Sequence, residues 1–211
     1  MTYQLPLFPV DAPDSLEETP DPLTLLRKGA ALVLSVSGGK DSDAMTHHLL
    51  DLRRSERWTG DVVMLHADLG RAEWNQTPEY VENFARRKTF TLRTDASAPT
   101  KGRFVYDWLP IHDWTETDVW DCLQHHGDIA HPAYRLEQPN QRLSCALCVL
   151  ASLNDLINGA VHNPDTYREY CRIEAVTGYS FRKDFWLSSL KPELLPQETL
   201  DAVREHQRKT G

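Results

Sequence analysis

The stretch Ala30-Ala31-Leu32-Val33-Leu34-Ser35-Val36-Ser37-Gly38-Gly39-Lys40-Asp41-Ser42 decides how this chain is read. Residues Ala30 to Val36 form a short apolar run after Gly29, the pattern of a strand buried on both faces. Ser37-Gly38-Gly39 then breaks the run. From Asp41 to Arg54 the spacing of Ala44, Met45, His48, Leu49 and Leu52 predicts a helix with an apolar stripe. A glycine turn between a strand end and a helix start lets backbone approach a phosphate closely, and the helix N-terminus attracts negative charge. Lys40 adds a cation, and the hydroxyls of Ser37 and Ser42 add donors. The spacing is not that of a Walker A loop. An ordinary glycine turn into a capped helix is the plainer alternative.

Working outward, Val62-Val63-Met64-Leu65 predicts a second strand ending in His66-Ala67-Asp68, which makes the region a β-α-β unit with parallel strands. Ligands of such units lie beyond the carboxyl ends of the strands, so the loops after Val36 and Leu65 are expected side by side. Thr77 to Arg87 predicts a helix with Thr77 as cap and Pro78 in its first turn. Thr115 or Thr117 caps a helix running through Val119, Trp120 and Leu123. Asn163-Pro164-Asp165 opens another, ending near Val176 and stopped by Gly178. Residues 1–22, rich in proline and acids, read as an extended arm. The expected arrangement is one α/β domain over 23–211, a parallel twisted sheet flanked by helices, with a helical C-terminal part from about 115.

The composition sets limits. A chain of 211 residues with 40% hydrophobic content can bury one sizeable core. No apolar run reaches the roughly 18 residues of a membrane span, and the acidic start is unlike a signal peptide, so a cytoplasmic protein is expected. A net charge of -8 argues against broad nucleic-acid binding, though Arg86-Arg87-Lys88 forms a local basic stripe. Four cysteines with one close pair do not make a secreted disulfide scaffold.

Ser37-Gly38-Gly39-Lys40-Asp41-Ser42 resembles the PP-loop of the adenine nucleotide alpha hydrolases, and in particular the phosphoadenosine phosphosulfate reductase family. Three further stretches carry the resemblance in the right order. His66-Ala67-Asp68-Leu69-Gly70 with Glu73-Trp74 is similar to that family's second strand end and acidic loop. Leu109 to Trp120 is similar to its P-I-x-x-W-T-x-x-D-V-W segment, followed by His131-Pro132-Ala133-Tyr134. Arg142-Leu143-Ser144-Cys145-Ala146-Leu147-Cys148 resembles the R-x-x-C-x-x-C of the phage and plasmid branch. The match runs from about Ala30 to Phe181. It departs at Arg86 to Lys88, where a block of chain carrying further strands and a Gly-x-Arg loop is short. Phe90 to Ser97, with Arg93, stands as the remnant of that loop, and Ala96 replaces an expected carboxylate.

The resemblance implies an adenine-nucleotide site built from Ser35, Ser37, Gly38, Gly39, Lys40, Asp41, Ser42, His66, Arg93 and Arg142, with Arg135 also flanking that edge. Lys40, Asp41 and Asp68 are the candidate catalytic residues, with Asp41 and Asp68, or Glu73, as Mg²⁺ ligands; helix capping is the alternative for Asp41. Asp68 has little structural reason to stand at a strand end. Sulfonucleotide reductases use a nucleophilic cysteine near the C-terminus. After Cys171 this chain has none, which counts against a self-sufficient reductase. The expected activity is therefore attack on the α-phosphate of ATP and adenylation of an unidentified acceptor for sulfur transfer, with a sulfur-donor protein or a nucleic-acid-related substrate as candidate partners. A sulfonucleotide reductase borrowing a partner's thiol and a nucleotide-sensing interaction module are the rivals. Cys145 and Cys148 suit a metal such as Zn²⁺, a persulfide, a redox pair or two packed thiols, and with Cys122 and Cys171 they reach the four thiolates of a [4Fe-4S] cluster. His125, His126 and His131 read as loop and cap residues, and the aromatic residues of the tail as packing.

Overall fold

A computed structural model describes residues 21–88, 92–93, 107–183 and 185–210, with the backbone alone at 92–93 and 210. The fold is mixed α/β. A short helix α1 (Pro22–Arg27) precedes strand β1 (Leu32–Ser35), helix α2 (Lys40–Glu56), strand β2 (Val62–Leu65), helix α3 (Thr77–Arg87) and strand β3 (Leu92–Arg93). Helices α4 (Glu116–His125), α5 (Leu153–His162), α6 (Pro164–Thr177) and α7 (Gln197–Thr210) follow. Among the described residues, no helix is long and apolar enough to cross a membrane.

The three strands are parallel in the order β1-β2-β3, with Leu34 opposite Met64 and Met64 opposite Leu92. Leu34, Val36 and Met64 pack with Leu49 of α2 and with Val81, Phe84 and Ala85 of α3. Side chains alternate across a strand, so the other side of β1 needs its own cover. Val33 is 59% exposed. The expectation of a strand buried on both faces is corrected: β1 is shorter than Ala30 to Val36, and the face that carries Val33 and Ser35 is exposed.

The helix ends follow their local chemistry. Thr115 caps α4 in a reciprocal box with Asp118, each side chain meeting the other's backbone N–H. α6 stops at Gly178, whose φ of 74° is the left-handed C-cap. At α3 the cap is Gln76 rather than Thr77, which lies inside the helix with its hydroxyl 3.3 Å from His131 Nε2. Pro22, assigned to the arm, opens α1, whose first turn is capped by Asp21 accepting from the Thr24 N–H at 3.0 Å. The rest of the expected arm lies outside the described residues.

Helix α4 packs on α2 through Ala44, Val119 and Leu123. The C-terminal part has its own core of Leu147, Leu156, Tyr167, Cys171 and Leu187. Glu174, buried on α6, holds the following chain: Oε1 accepts from the N–H groups of Phe181 (2.8 Å) and Leu187 (2.7 Å), and Oε2 from that of Ser188 (3.0 Å). A buried carboxylate is tolerated where backbone donors replace its water. Removing it leaves three donors unmatched. Glu174→Ala is expected to lower unfolding stability by about 3 kcal/mol, with Glu174→Gln less damaging, as read by urea denaturation.

Candidate functional site

The chain from β1 passes directly into the turn Ser37-Gly38-Gly39 and then into the 17-residue helix α2. Gly38 sits at φ 79°, and a Cβ there would come within 3.1 Å of Val81 on α3. Its lack of a side chain lets the turn close against α3. The helix starts without a side-chain cap, since its N-cap is Gly39. The loop's N–H groups are instead met by hydroxyls at long range. Ser37 N–H points to Ser42 Oγ at 3.3 Å, Gly39 N–H to Ser37 Oγ at 3.3 Å, and Lys40 N–H to Tyr134 Oη at 3.4 Å. Ser42 Oγ itself donates to the Gly39 carbonyl at 2.8 Å. These are weak contacts, which an anion's oxygens can replace.

Lys40 lies at the mouth of this turn with its side chain only 8% exposed. Its Nζ is 3.2 Å from Asp41 and 3.7 Å from Glu116, the first residue of α4. The amino ends of α2 and α4 therefore meet around one ammonium. Asp41 is exposed in the first turn of α2 and is not its cap. Ser35, on β1, is exposed beside the turn.

The loop after β2 lies beside the first, as the parallel pairing requires. His66, buried at its start, donates from Nδ1 to the Val36 carbonyl at 2.9 Å and places Nε2 3.4 Å from Glu73 Oε2. It ties the two strand ends together. Asp68 does have a structural reason to be there: Oδ1 accepts from the Gly70 N–H at 2.6 Å and closes the turn. Asp68 remains exposed. Arg93 is on β3, and its side chain, like Ala96, lies outside the described residues.

The C-x-x-C segment is brought to the same edge. Ala146 N–H donates to the Ala72 carbonyl at 2.8 Å, and Leu143 N–H donates to Tyr134 Oη at 2.8 Å. A Cβ on Gly159 would sit 1.9 Å from the Ala146 carbonyl oxygen, so only glycine lets the turn lie on α5. Arg182 donates to the carbonyls of Cys148 (3.3 Å) and Ala151 (2.5 Å) from the other side. Sequence reasoning gave no role to Gly159, Arg182 or Tyr134; for Tyr134, its place in the quoted His-Pro-x-Tyr segment was the available signal.

Arg142 is exposed and donates from Nη2 to Cys148 Sγ at 3.4 Å, as does the Leu150 N–H at 3.4 Å. Burial would raise the Cys148 thiol, but these donors and Ser144 outweigh it and bring it below an ordinary cysteine. At Cys171 burial, reinforced by Glu174, prevails and pushes the thiol up to about 12, and it raises Cys122 with help from Asp51. The four cysteines do not converge. Cys122 faces the Ala44 carbonyl of α2, and Cys171 is enclosed in the C-terminal core. Among the described residues, no three His, Cys, Asp or Glu side chains are placed to hold a metal. The donor set therefore does not fit a [4Fe-4S] cluster or a four-ligand Zn²⁺ site. Mg²⁺ is a different case, because it needs only one or two carboxylates beside phosphate oxygens and water. Asp41 is an exposed carboxylate at the start of α2, 3.2 Å from Lys40 Nζ.

Behind the loop, Asp43 is buried 3.4 Å from Ser42 Oγ and accepts from the Tyr80 hydroxyl at 2.5 Å. Burial, reinforced by nearby Asp128, pushes its carboxyl up to about 7 despite the Tyr80 and Ser42 hydroxyls. Asp128 is lowered: burial works against it, but His47 at 2.7 Å, Lys88 and Arg87 prevail. Two members of the basic stripe thus serve an internal carboxylate. His131 is buried, accepts from the Ala133 N–H at 3.2 Å through Nδ1, and is lowered to about 4 by burial and by Arg135.

Because the folded Asp43 carboxyl titrates above its unfolded value of 3.8, the folded state holds a proton that the unfolded state has lost. Stability from this group therefore falls as pH rises from about 4 to about 7. Asp43→Asn is expected to remove that decline in denaturation curves taken across this window, and an unchanged slope would refute it. For the thiols, iodoacetamide at pH 7 is expected to modify Cys148 before Cys122 and Cys171, and Arg142→Ala to slow that reaction. Peptide mapping by mass spectrometry reads both.

No protein-family model, no curated protein and no solved structure matches this chain.

Proposed function

We propose that this chain is an enzyme of the PP-loop ATP pyrophosphatase kind, resembling the phosphoadenosine phosphosulfate reductase family, with a Rossmann-like sheet that carries an adenine nucleotide on the Ser37–Ser42 loop. The observation that carries the reading is the loop's set of N–H groups, those of Ser37, Gly39 and Lys40, met only by hydroxyl oxygens at 3.3–3.4 Å beside the buried Lys40 ammonium. Phosphate oxygens accept such donors more strongly than hydroxyls do, because they are charged. The first residues of α2 and α4 meet at the Lys40 ammonium, so the positive ends of both helix dipoles lie near it.

In the proposed reaction an acceptor oxygen attacks the α-phosphorus of ATP. The bond between the α-phosphorus and the α,β-bridging oxygen breaks, pyrophosphate leaves with the electron pair, and the acceptor's proton passes to solvent. Negative charge grows on the α-phosphate's non-bridging oxygens and on the pyrophosphate. The loop N–H groups and Lys40 stabilise it without reorganising. Mg²⁺, when bound, neutralises phosphate charge, and Asp41, with Asp68 or Glu73 across the edge, would hold it. The adenylated acceptor is then open to displacement by sulfur from a donor protein, and the position of Cys148 beside Arg142 supports sulfur chemistry at this edge.

Calorimetric titration with ATP and Mg²⁺ tests the reading, together with a pyrophosphate-release assay. Wild type is expected to bind and release pyrophosphate, and Lys40→Ala to weaken binding at least about tenfold. Absence of binding by wild type refutes the nucleotide site. Tighter binding of 3′-phosphoadenosine nucleotides than of ATP, without pyrophosphate release, favours a reductase with a borrowed thiol.

A further inference from the structure

Tyr134 is buried between three segments that the sequence places far apart. Its oxygen accepts from the N–H of Leu143 at 2.8 Å and faces the N–H of Lys40 at 3.4 Å, and its ring meets Trp120 of α4 edge-on at 5.5 Å. A Cβ on Gly39 would lie 3.6 Å from this oxygen, which places the hydroxyl against the Gly39–Lys40 peptide. A phenol oxygen has two acceptor sites and one proton. Both acceptor sites are taken by N–H groups, and among the described residues no acceptor lies within hydrogen-bond reach of the proton. The proton is therefore left for a group outside the protein, at an oxygen that stands against the Gly39–Lys40 peptide of the turn.

We propose that the Tyr134 hydroxyl is a phosphate-binding group of the Ser37–Ser42 loop, donating its proton to an oxygen of the bound polyphosphate while Leu143 N–H fixes its position. This rests on the nucleotide reading above and adds to it a neutral donor at the first N–H of α2. The donor is preorganised, since the ring is buried and the oxygen is held at 2.8 Å before any ligand arrives. It is also persistent. Burial, with Asp41 and Asp43 nearby and against the two N–H groups, pushes the phenol up to about 12, so it keeps its proton throughout the neutral range. Lys40, by contrast, shares its charge with Asp41 and Glu116. A neutral hydroxyl gives the loop a donor that those carboxylates do not offset.

The test is titration of the full chain with MgATP, with magnesium pyrophosphate and with adenosine, using wild type and Tyr134→Phe. Tyr134→Phe keeps the ring and removes the donor. The expected result is binding about tenfold to a hundredfold weaker for ATP and pyrophosphate, constant from pH 6 to 9, with adenosine unaffected. A residue that only caps α2 would lower the melting temperature while leaving the ratio of pyrophosphate to adenosine affinity unchanged. That outcome, or unchanged phosphate affinity, overturns the proposal while the nucleotide reading stands. If wild type binds neither ATP nor pyrophosphate, both fall together. Should Tyr134→Phe fail to fold, 3-fluorotyrosine at 134 retains the acceptor sites and makes the hydroxyl more acidic. It is then expected to tighten pyrophosphate binding by about threefold, and weaker or equal binding counts against the proton-donor role.

Discussion

The N–H of Val36 donates to the Leu65 carbonyl at 2.8 Å, one step past the paired residues of β1 and β2, and His66 Nδ1 donates back to the Val36 carbonyl at 2.9 Å. This short ladder fixes where the two strands end relative to each other. The glycine turn starts at the next residue, and the loop after β2 starts at His66 itself. If that register slipped by one residue, Leu34 and Met64 would leave the core and the turn would no longer lie on α3. The constraint therefore acts on stability and on the site at once.

Around it, polar contacts between distant segments assemble the edge. Tyr134 joins the start of α2 to the segment before the cysteines, Ala146 joins that segment to the loop after β2, and Asn163 accepts from the Asn75 N–H at 2.8 Å from the junction of α5 and α6. Each contact has a buried or half-buried partner, so an unmatched group would be costly. A second network, Asp43 with Tyr80 and Asp128 with His47, Arg87 and Lys88, fastens α2 to α3 and to the chain after α4. The turn is consequently held from behind by a protonatable carboxylate and from the front by a phenol.

Cysteine chemistry shows how surroundings separate residues of one type. Cys171 and Cys148 border the same C-terminal core, yet burial keeps the first a thiol while Arg142 and the Leu150 N–H favour the thiolate of the second. The spacing of Cys145 and Cys148 admits metal, redox and packing roles alike. Placement bears on the four-thiolate cluster alone, because Cys122 and Cys171 are directed into other contacts.

What the sequence by itself determined is local. The apolar runs, the glycine turn, the Thr115 box and the Gly178 stop follow from short-range backbone preferences, and they place β1, α2, β2, α4 and α6 within a few residues. The candidate loop was legible for the same reason, since its strand, turn and helix are consecutive. Only the tertiary structure decided the rest. The exposure of Val33 depends on which face of β1 is covered, the raised carboxyl of Asp43 depends on its burial and on Asp128, and the turn role of Asp68 depends on a loop conformation that composition does not specify. The phenol of Tyr134 meets the N–H of Lys40 across 94 residues of chain, and the Ala146 carbonyl approaches α5 only where Gly159 lacks a Cβ. Such contacts carry no periodic signal in the sequence, because they arise from the packing of whole elements rather than from the preferences of neighbouring residues.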